Sequence, residues 1–240
     1  MHRGLCEEAA AIFGKYIVFS KAEISVASED WCQLGLWGAD TATRLGLENG
    51  AQDKLWQVDG VYWVQVDVAG TRFEAHVQRD GAEALENLLR QQGFSECAED
   101  AWERLEIEAG IGHVAPETTG QLLPQMLNYQ ATGRISFSKG CYTGQEVVAR
   151  MHYRGKLKNP MYLARVDTDS PCPPGTALFR QDSDQSVGSV VSTAPADGSL
   201  LMLAVVRTDA LAEGVHLGSR NGSPLAFMDL PYSLDTSSSG

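Results

Sequence analysis

No run of eighteen apolar residues occurs in this 240-residue chain, so no segment can span a bilayer as a helix. The opening does not read as a secretory signal. Its apolar stretch, Ala9–Phe13, is short and follows Glu7 and Glu8, not a basic cluster. A cytoplasmic protein with no membrane partner is expected. Cysteine is sparse: five residues, an odd number, with no two close together, no CxxC, and no Cys/His spacing suited to zinc or an iron–sulfur cluster. A disulfide framework and a self-contained metal site are both disfavoured, so a metalloenzyme is not expected. Each cysteine defaults to a small buried apolar residue. Basic residues are also few, 19 against 31 acidic, and the resulting net charge of −12 repels nucleic acid. Stable nucleic-acid binding is therefore not expected. With 43% hydrophobic residues the chain is nonetheless too apolar to be disordered.

The positive charge is not evenly spread. From Arg134 to Arg165 there are seven basic residues, Arg134, Lys139, Arg150, Arg154, Lys156, Lys158 and Arg165, against Glu146 alone. Such an island either receives an anionic ligand or pairs with acidic neighbours after folding.

The first half of the chain mixes helical and strand patterns in an α+β manner. Leu5–Phe13 reads as a helix stopped by Gly14, and Ile17–Phe19 and Ala22–Ala27 as short strands. Trp31–Trp37 alternates as a strand, and Asp40 is placed to cap a helix through Leu47. Val61–Asp67 and Arg72–Gln78 predict a hairpin. Ala82–Gln92 predicts a helix with Leu85, Leu88 and Leu89 on one face and Gly93 just past its end. Asp100–Ala109 predicts another, with Trp102, Leu105 and Ala109 on one face. After Lys158 only short strand candidates remain, Met161–Val166, Thr176–Phe179, Val187–Val191, Leu200–Val206 and Pro224–Phe227, with a turn at Asp209–Leu211. This reads as a small β-barrel or sandwich. A boundary near Gly155–Pro160 gives an α+β domain over 1–155, a β module over 156–234, and a Ser-rich disordered tail over 235–240.

The segment richest in chemistry is Lys139-Gly140-Cys141-Tyr142-Thr143-Gly144-Gln145-Glu146. Thr143 and Glu146 have capping-box spacing, and Val147, Val148 and Met151 continue as an apolar helix face. Cys141 then precedes a helix N-terminus, where the macrodipole and Lys139 both favour a thiolate. The two flanking glycines leave room at the sulfur. A histidine base is not evident: His152, eleven residues on, is roughly 16 Å of helical rise away, so a protease is disfavoured. Read from the residues alone, Cys141 is either a reactive non-triad thiol or a structural one. Trp102 reads as a core aromatic and Glu108 as a solvated helix-end charge.

The octapeptide resembles the signature of the YgfZ family of folate-binding proteins, relatives of the glycine-cleavage T-protein, an aminomethyltransferase. Further resemblance lies in Glu106-Ile107-Glu108-Ala109-Gly110, Leu123-Pro124-Gln125 with Asn128, and Ile135-Ser136-Phe137. Val148-Ala149-Arg150, Tyr153-Arg154-Gly155, Lys15–Lys21 and Leu230-Pro231-Tyr232-Ser233 complete it. The resemblance implies a folate-binding α+β domain followed by a C-terminal β-barrel, with tetrahydrofolate as cofactor. It also implies a role in assembling or repairing iron–sulfur enzymes, including those that modify tRNA, with client or assembly proteins as partners. By the same resemblance Cys141 is the functionally central cysteine, supported by Lys139. Trp102 falls on a tryptophan associated with folate, and Glu108 on the acidic residue that reaches the pterin. A tetrahydrofolate-dependent one-carbon (aminomethyl) transferase and a non-catalytic folate-sensing scaffold are the alternatives. Family members carry a substantial stretch of the folate domain before the segment that here begins at Lys15. The chain thus resembles a member without its opening portion, and an exposed sheet edge is expected.

Overall fold

A computed structural model describes residues 2–48, 50–137, 139–140, 144–154, 157–168 and 170–234, with the side chains of 152–154 outside that description. The chain forms two compact units. One is Cys6–Cys97; the other runs from Ala98 onward and includes the first five residues.

The Cys6–Cys97 unit contains, in chain order, α1 (Cys6–Gly14), β1 (Trp31–Trp37), α2 (Thr41–Arg44), β2 (Leu55–Val58), β3 (Val61–Gln65), β4 (Arg72–Gln78) and α3 (Ala82–Gln91). The strands form one antiparallel sheet in the order β1-β4-β3-β2. Alternation along each strand sends Leu36, Val61, Trp63, Phe73, Ala75 and Val77 to one face, where Leu85 and Leu89 of α3 pack on them. Leu88, expected on the same face of α3, is instead 46% exposed, since the sheet meets only the Leu85–Leu89 ridge. The β3–β4 connection is held by Asp67, whose Oδ1 accepts the N–H groups of Thr71 and Arg72 at 3.0 Å each.

Two local expectations are corrected here. Residues 17–19 and 22–27 form turns and irregular chain, not strands. Val18 and Phe19 lie exposed, with no ladder among the described residues to pair them and no core to cover them. The helix expected from Asp40 through Leu47 is a single turn. Asp40 makes no capping bond to the backbone, and its Oδ2 accepts a bond from Arg44 Nε at 2.9 Å instead.

The second unit begins with α4 (Glu99–Glu108), continues through an irregular stretch over 109–137, and reaches α5 (Gln145–Arg154). Strands β5 (Met161–Val166), β6 (Ala177–Arg180), β7 (Ser186–Ala196), β8 (Ser199–Val206), β9 (Val215–Leu217) and β10 (Leu225–Met228) then pair antiparallel in the order β10-β5-β8-β7-β6-β9. A bridge between His216 and Pro224 brings the two ends of this order together, so the sheet curls into a barrel. Register shifts at Leu178/Phe179 and Val190/Ser192 supply the bends. Ala164, Val166, Met202, Ala204, Val206, Leu178 and Val190 fill its interior. The other faces of β5, β7 and β8 are covered as well: Met161, Leu163, Val191, Leu201, Leu203 and Val205 pack with Ile107 of α4 and Leu127 of the irregular stretch. Burial on both faces explains why β8, Ser-Leu-Leu-Met-Leu-Ala-Val-Val, shows no polar alternation.

Candidate functional site

Helix α4 ends in a regular C-terminal motif. Gly110 takes φ +67°, its N–H donates to Ile107 O at 2.9 Å, and the N–H of Ile111 donates to Glu106 O at 2.9 Å. This double closure is favoured by glycine because the position is left-handed. Glu108 is the last helical residue. Its carboxylate is 44% exposed and accepts a bond from Arg104 Nε, one turn back, at 2.8 Å. The same contact raises the Arg104 pKa above its ordinary value. Ile107 is the residue that α4 buries against the barrel strands. At about 100° per residue, the predicted Trp102–Leu105–Ala109 stripe lies about 140–160° round the helix from Ile107, so α4 carries two apolar stripes, with Glu108 between them. Trp102 is half-buried and leaves the axis about 120° from Glu108 by the same arithmetic.

The stretch after α4 is packed closely. A Cβ on Gly110 would lie 2.6 Å from the Tyr232 ring, and one on Gly112 would lie 2.6 Å from Met161 Sδ. Tyr232, from the segment after β10, donates its hydroxyl to Gly110 O at 2.7 Å. Asn128, fully buried, donates from Nδ2 to Met161 O at 2.8 Å and to Tyr232 Oη at 3.3 Å. Tyr129 donates to Gly112 O at 3.1 Å. Burial pushes the phenols of Tyr129 and Tyr232 up, so both stay protonated donors; a bond from Asn128 partly offsets the effect at Tyr232. One turn further back, Gln125 Nε2 donates to Val148 O of α5 at 2.7 Å, in a buried setting. Three separated segments, 106–112, 123–129 and 230–232, thus meet in one hydrogen-bonded knot.

Of the sequence-predicted site residues, Trp102 and Glu108 are on one helix, and Lys139 is exposed beyond the knot. Cys141 and the Thr143 half of the expected capping box lie outside the described residues. Gly140 and Gly144 both have open space where a Cβ would stand. Among the described residues, side-chain ion pairs are found at Arg44, Arg90, Arg104, Arg180, Arg207 and Arg220 and, where the imidazole is protonated, at His76 and His113, and none is found at Arg134, Lys139, Arg150, Lys158 or Arg165 of the basic island. Among the same residues, no group of three or more His, Cys, Asp or Glu is placed to hold a metal ion, and no helix is long and apolar enough to cross a membrane. Sequence reading singled out neither Arg104 nor Tyr232 nor Asn128 for a role. The spacing of Arg104 four residues before Glu108 was a usable signal; the reach of Tyr232 across 122 positions was not.

The arrangement, an α+β unit followed by a curled antiparallel barrel, is a fold of the aminomethyltransferase class. The chain superimposes on the crystal structure of glycine cleavage system aminomethyltransferase T from Bartonella henselae with a TM-score of 0.65. The match covers 95% of this chain and 66% of that one at 18% identity, a likeness of fold. No protein-family model matches. The chain belongs to the YgfZ family: it is 34% identical over 240 residues to the tRNA-modifying protein YgfZ of Serratia proteamaculans, covering 97% of this chain and 72% of the relative.

Proposed function

We propose that this protein is a folate-binding accessory factor for the assembly or repair of iron–sulfur enzymes, including those that modify tRNA, acting through the Cys141 thiolate with Lys139 as electrostatic support. On this reading residues 1–155 carry the folate side and the Cys141 segment, and 156–234 the barrel. The observation that carries the reading is Glu108: an accessible carboxylate fixed at the end of α4, whose hydrogen-bond partner is an exchangeable Arg104 one turn away. A pteridine is flat and presents adjacent N–H donors along one edge, which suits a carboxylate. Trp102 points about a third of a turn away and would touch a different part of so long a ligand. The anionic glutamate tail suits a basic island whose described members are not consumed by ion pairs. The name of the Serratia relative supports a connection to tRNA modification. The likeness to an aminomethyltransferase supports, as the second reading, a one-carbon transfer on tetrahydrofolate.

The test is titration calorimetry of tetrahydrofolate against the 240-residue chain, with tryptophan quenching as a second signal. Saturable micromolar binding is expected, weakened about tenfold or more in Glu108→Gln, since a hydrogen bond to a charged group is lost. Cys141→Ser should abolish support of cluster-dependent enzymes while leaving folate affinity unchanged. A folded chain that does not bind overturns the folate reading, and equal loss of affinity and function in Cys141→Ser overturns the division of labour.

A further inference from the structure

Glu108 is only as well placed as the end of the helix that carries it, and that end is gripped by a residue far along the chain. The backbone reverses at Gly110, two residues beyond Glu108, and the carbonyl of Gly110 accepts the Tyr232 hydroxyl at 2.7 Å. The ring of Tyr232 also fills the space a side chain at residue 110 would need, with Leu230 Cδ2 closing the same space at 2.9 Å. Tyr232 is itself fixed from behind: Asn128 Nδ2 bonds its oxygen and, at 2.8 Å, the carbonyl of Met161 at the start of β5. Asn128 is fully buried and holds φ +56°, a left-handed conformation that asparagine tolerates better than most residues. The end of α4 is therefore tied to the barrel through a half-buried phenol and a fully buried amide. Glu108, by contrast, is tied to its own helix through Arg104 alone among the contacts described above.

We propose that Tyr232, held by Asn128, is a positioning residue for Glu108. By clamping the Gly110 carbonyl it sets the direction in which the carboxylate leaves α4 and so sets the affinity for the N–H edge of a pteridine. This inference rests on the reading of Glu108 as the folate carboxylate and adds a second residue, from the far end of the chain, to that site. Without the hydroxyl the last turn of α4 gains freedom, and the carboxylate must be ordered by the ligand at the ligand's cost.

The experiment is a double-mutant cycle with Tyr232→Phe and Glu108→Gln, read by tetrahydrofolate affinity on the full chain. Tyr232→Phe keeps the ring against Gly110 and removes only the hydroxyl. It should weaken binding about fivefold, the equivalent of one neutral hydrogen bond. The double variant should bind no worse than Glu108→Gln alone, because a clamp on an absent carboxylate has nothing to position. A purely structural Tyr232 would lower the urea midpoint without this non-additivity. Fivefold losses that multiply in the double variant, or a Tyr232→Phe affinity equal to wild type while Glu108→Gln is weakened, overturn this inference alone. A folded wild-type chain that does not bind tetrahydrofolate overturns the Glu108 reading and this inference with it.

Discussion

The two glycines that follow α4 are alike in sequence and unlike in the work they do. At Gly110 an added Cβ meets both a left-handed φ and the Tyr232 ring at 2.6 Å; at Gly112 it meets the sulfur of Met161, the flexible end of a soft side chain. Gly110→Ala should therefore destabilise by about 2–4 kcal/mol, combining backbone strain with overpacking. Gly112→Ala should cost about 1 kcal/mol, since methionine repacks readily. Urea unfolding of the two variants checks the order, and a reversed order would refute the geometry of the knot. The glycine at 110 directly follows the helix predicted over Asp100–Ala109. That it is also a seat for Tyr232 was not legible in the sequence, because nothing local signals a partner 122 residues away. The same holds for Gln65, an inward-facing amide of β3 that bonds Gly50 and the Asp67 carbonyl, in a position where strand alternation alone predicts an apolar side chain.

Elements were legible where one face is buried and the other wet. β1, β4 and α3 follow their predicted spans closely. The pattern misleads where that condition fails. Ile17–Phe19 and Ala22–Ala27, the second of which alternates, have no pairing partner among the described residues, and propensity without a ladder does not make a strand. β9, three residues long, was too short to read, and β2 was hidden by its exposed Leu55 and Val58. On α4 the sequence pointed to Trp102, Leu105 and Ala109, whereas the barrel takes Ile107, a residue flanked by glutamates at 106 and 108. One consequence concerns Glu103, which lies within about 40° of Ile107 round the helix. Its pKa is raised, first by desolvation and then by Glu99, Asp100 and Glu106. A carboxyl with a raised folded pKa contributes most to stability when protonated, and that contribution is lost as pH rises through and above the usual carboxylate range. Glu103→Gln should accordingly melt higher than wild type at pH 7, with the advantage shrinking toward pH 4. Thermal melts at the two pH values test this, and an advantage that grows on acidification would contradict it.

At the scale of the whole molecule, charge separates a connection to tRNA modification from contact with tRNA. The net charge is −12, and the concentrated positive charge is the short island between Arg134 and Arg165. Phosphate-backbone binding needs several basic contacts and weakens steeply with salt. Gel-shift titration with bulk tRNA at about 150 mM salt should show no retention at micromolar protein, and a tight, salt-sensitive complex would refute this. The site was legible to a different degree than the fold. Glu108 and Trp102 were candidates named from a resemblance, and their angular separation follows from helix arithmetic, but the bond of Tyr232 to the Gly110 carbonyl required coordinates. Each of the two sheets also contains a hairpin closed by the dipeptide Asp-Gly, Asp59-Gly60 between β2 and β3 and Asp197-Gly198 between β7 and β8, with all four residues at positive φ. Such two-residue turns match the natural twist of paired strands, so each hairpin can zip within microseconds of chain collapse. Other pairings, such as Trp31 with Gln78 and Leu225 with Val166, bridge long gaps, and loop closure makes them slower. Each unit thus has its own early nucleus, and a ribosome-bound chain would possess the first of these templates well before the second hairpin had been synthesised.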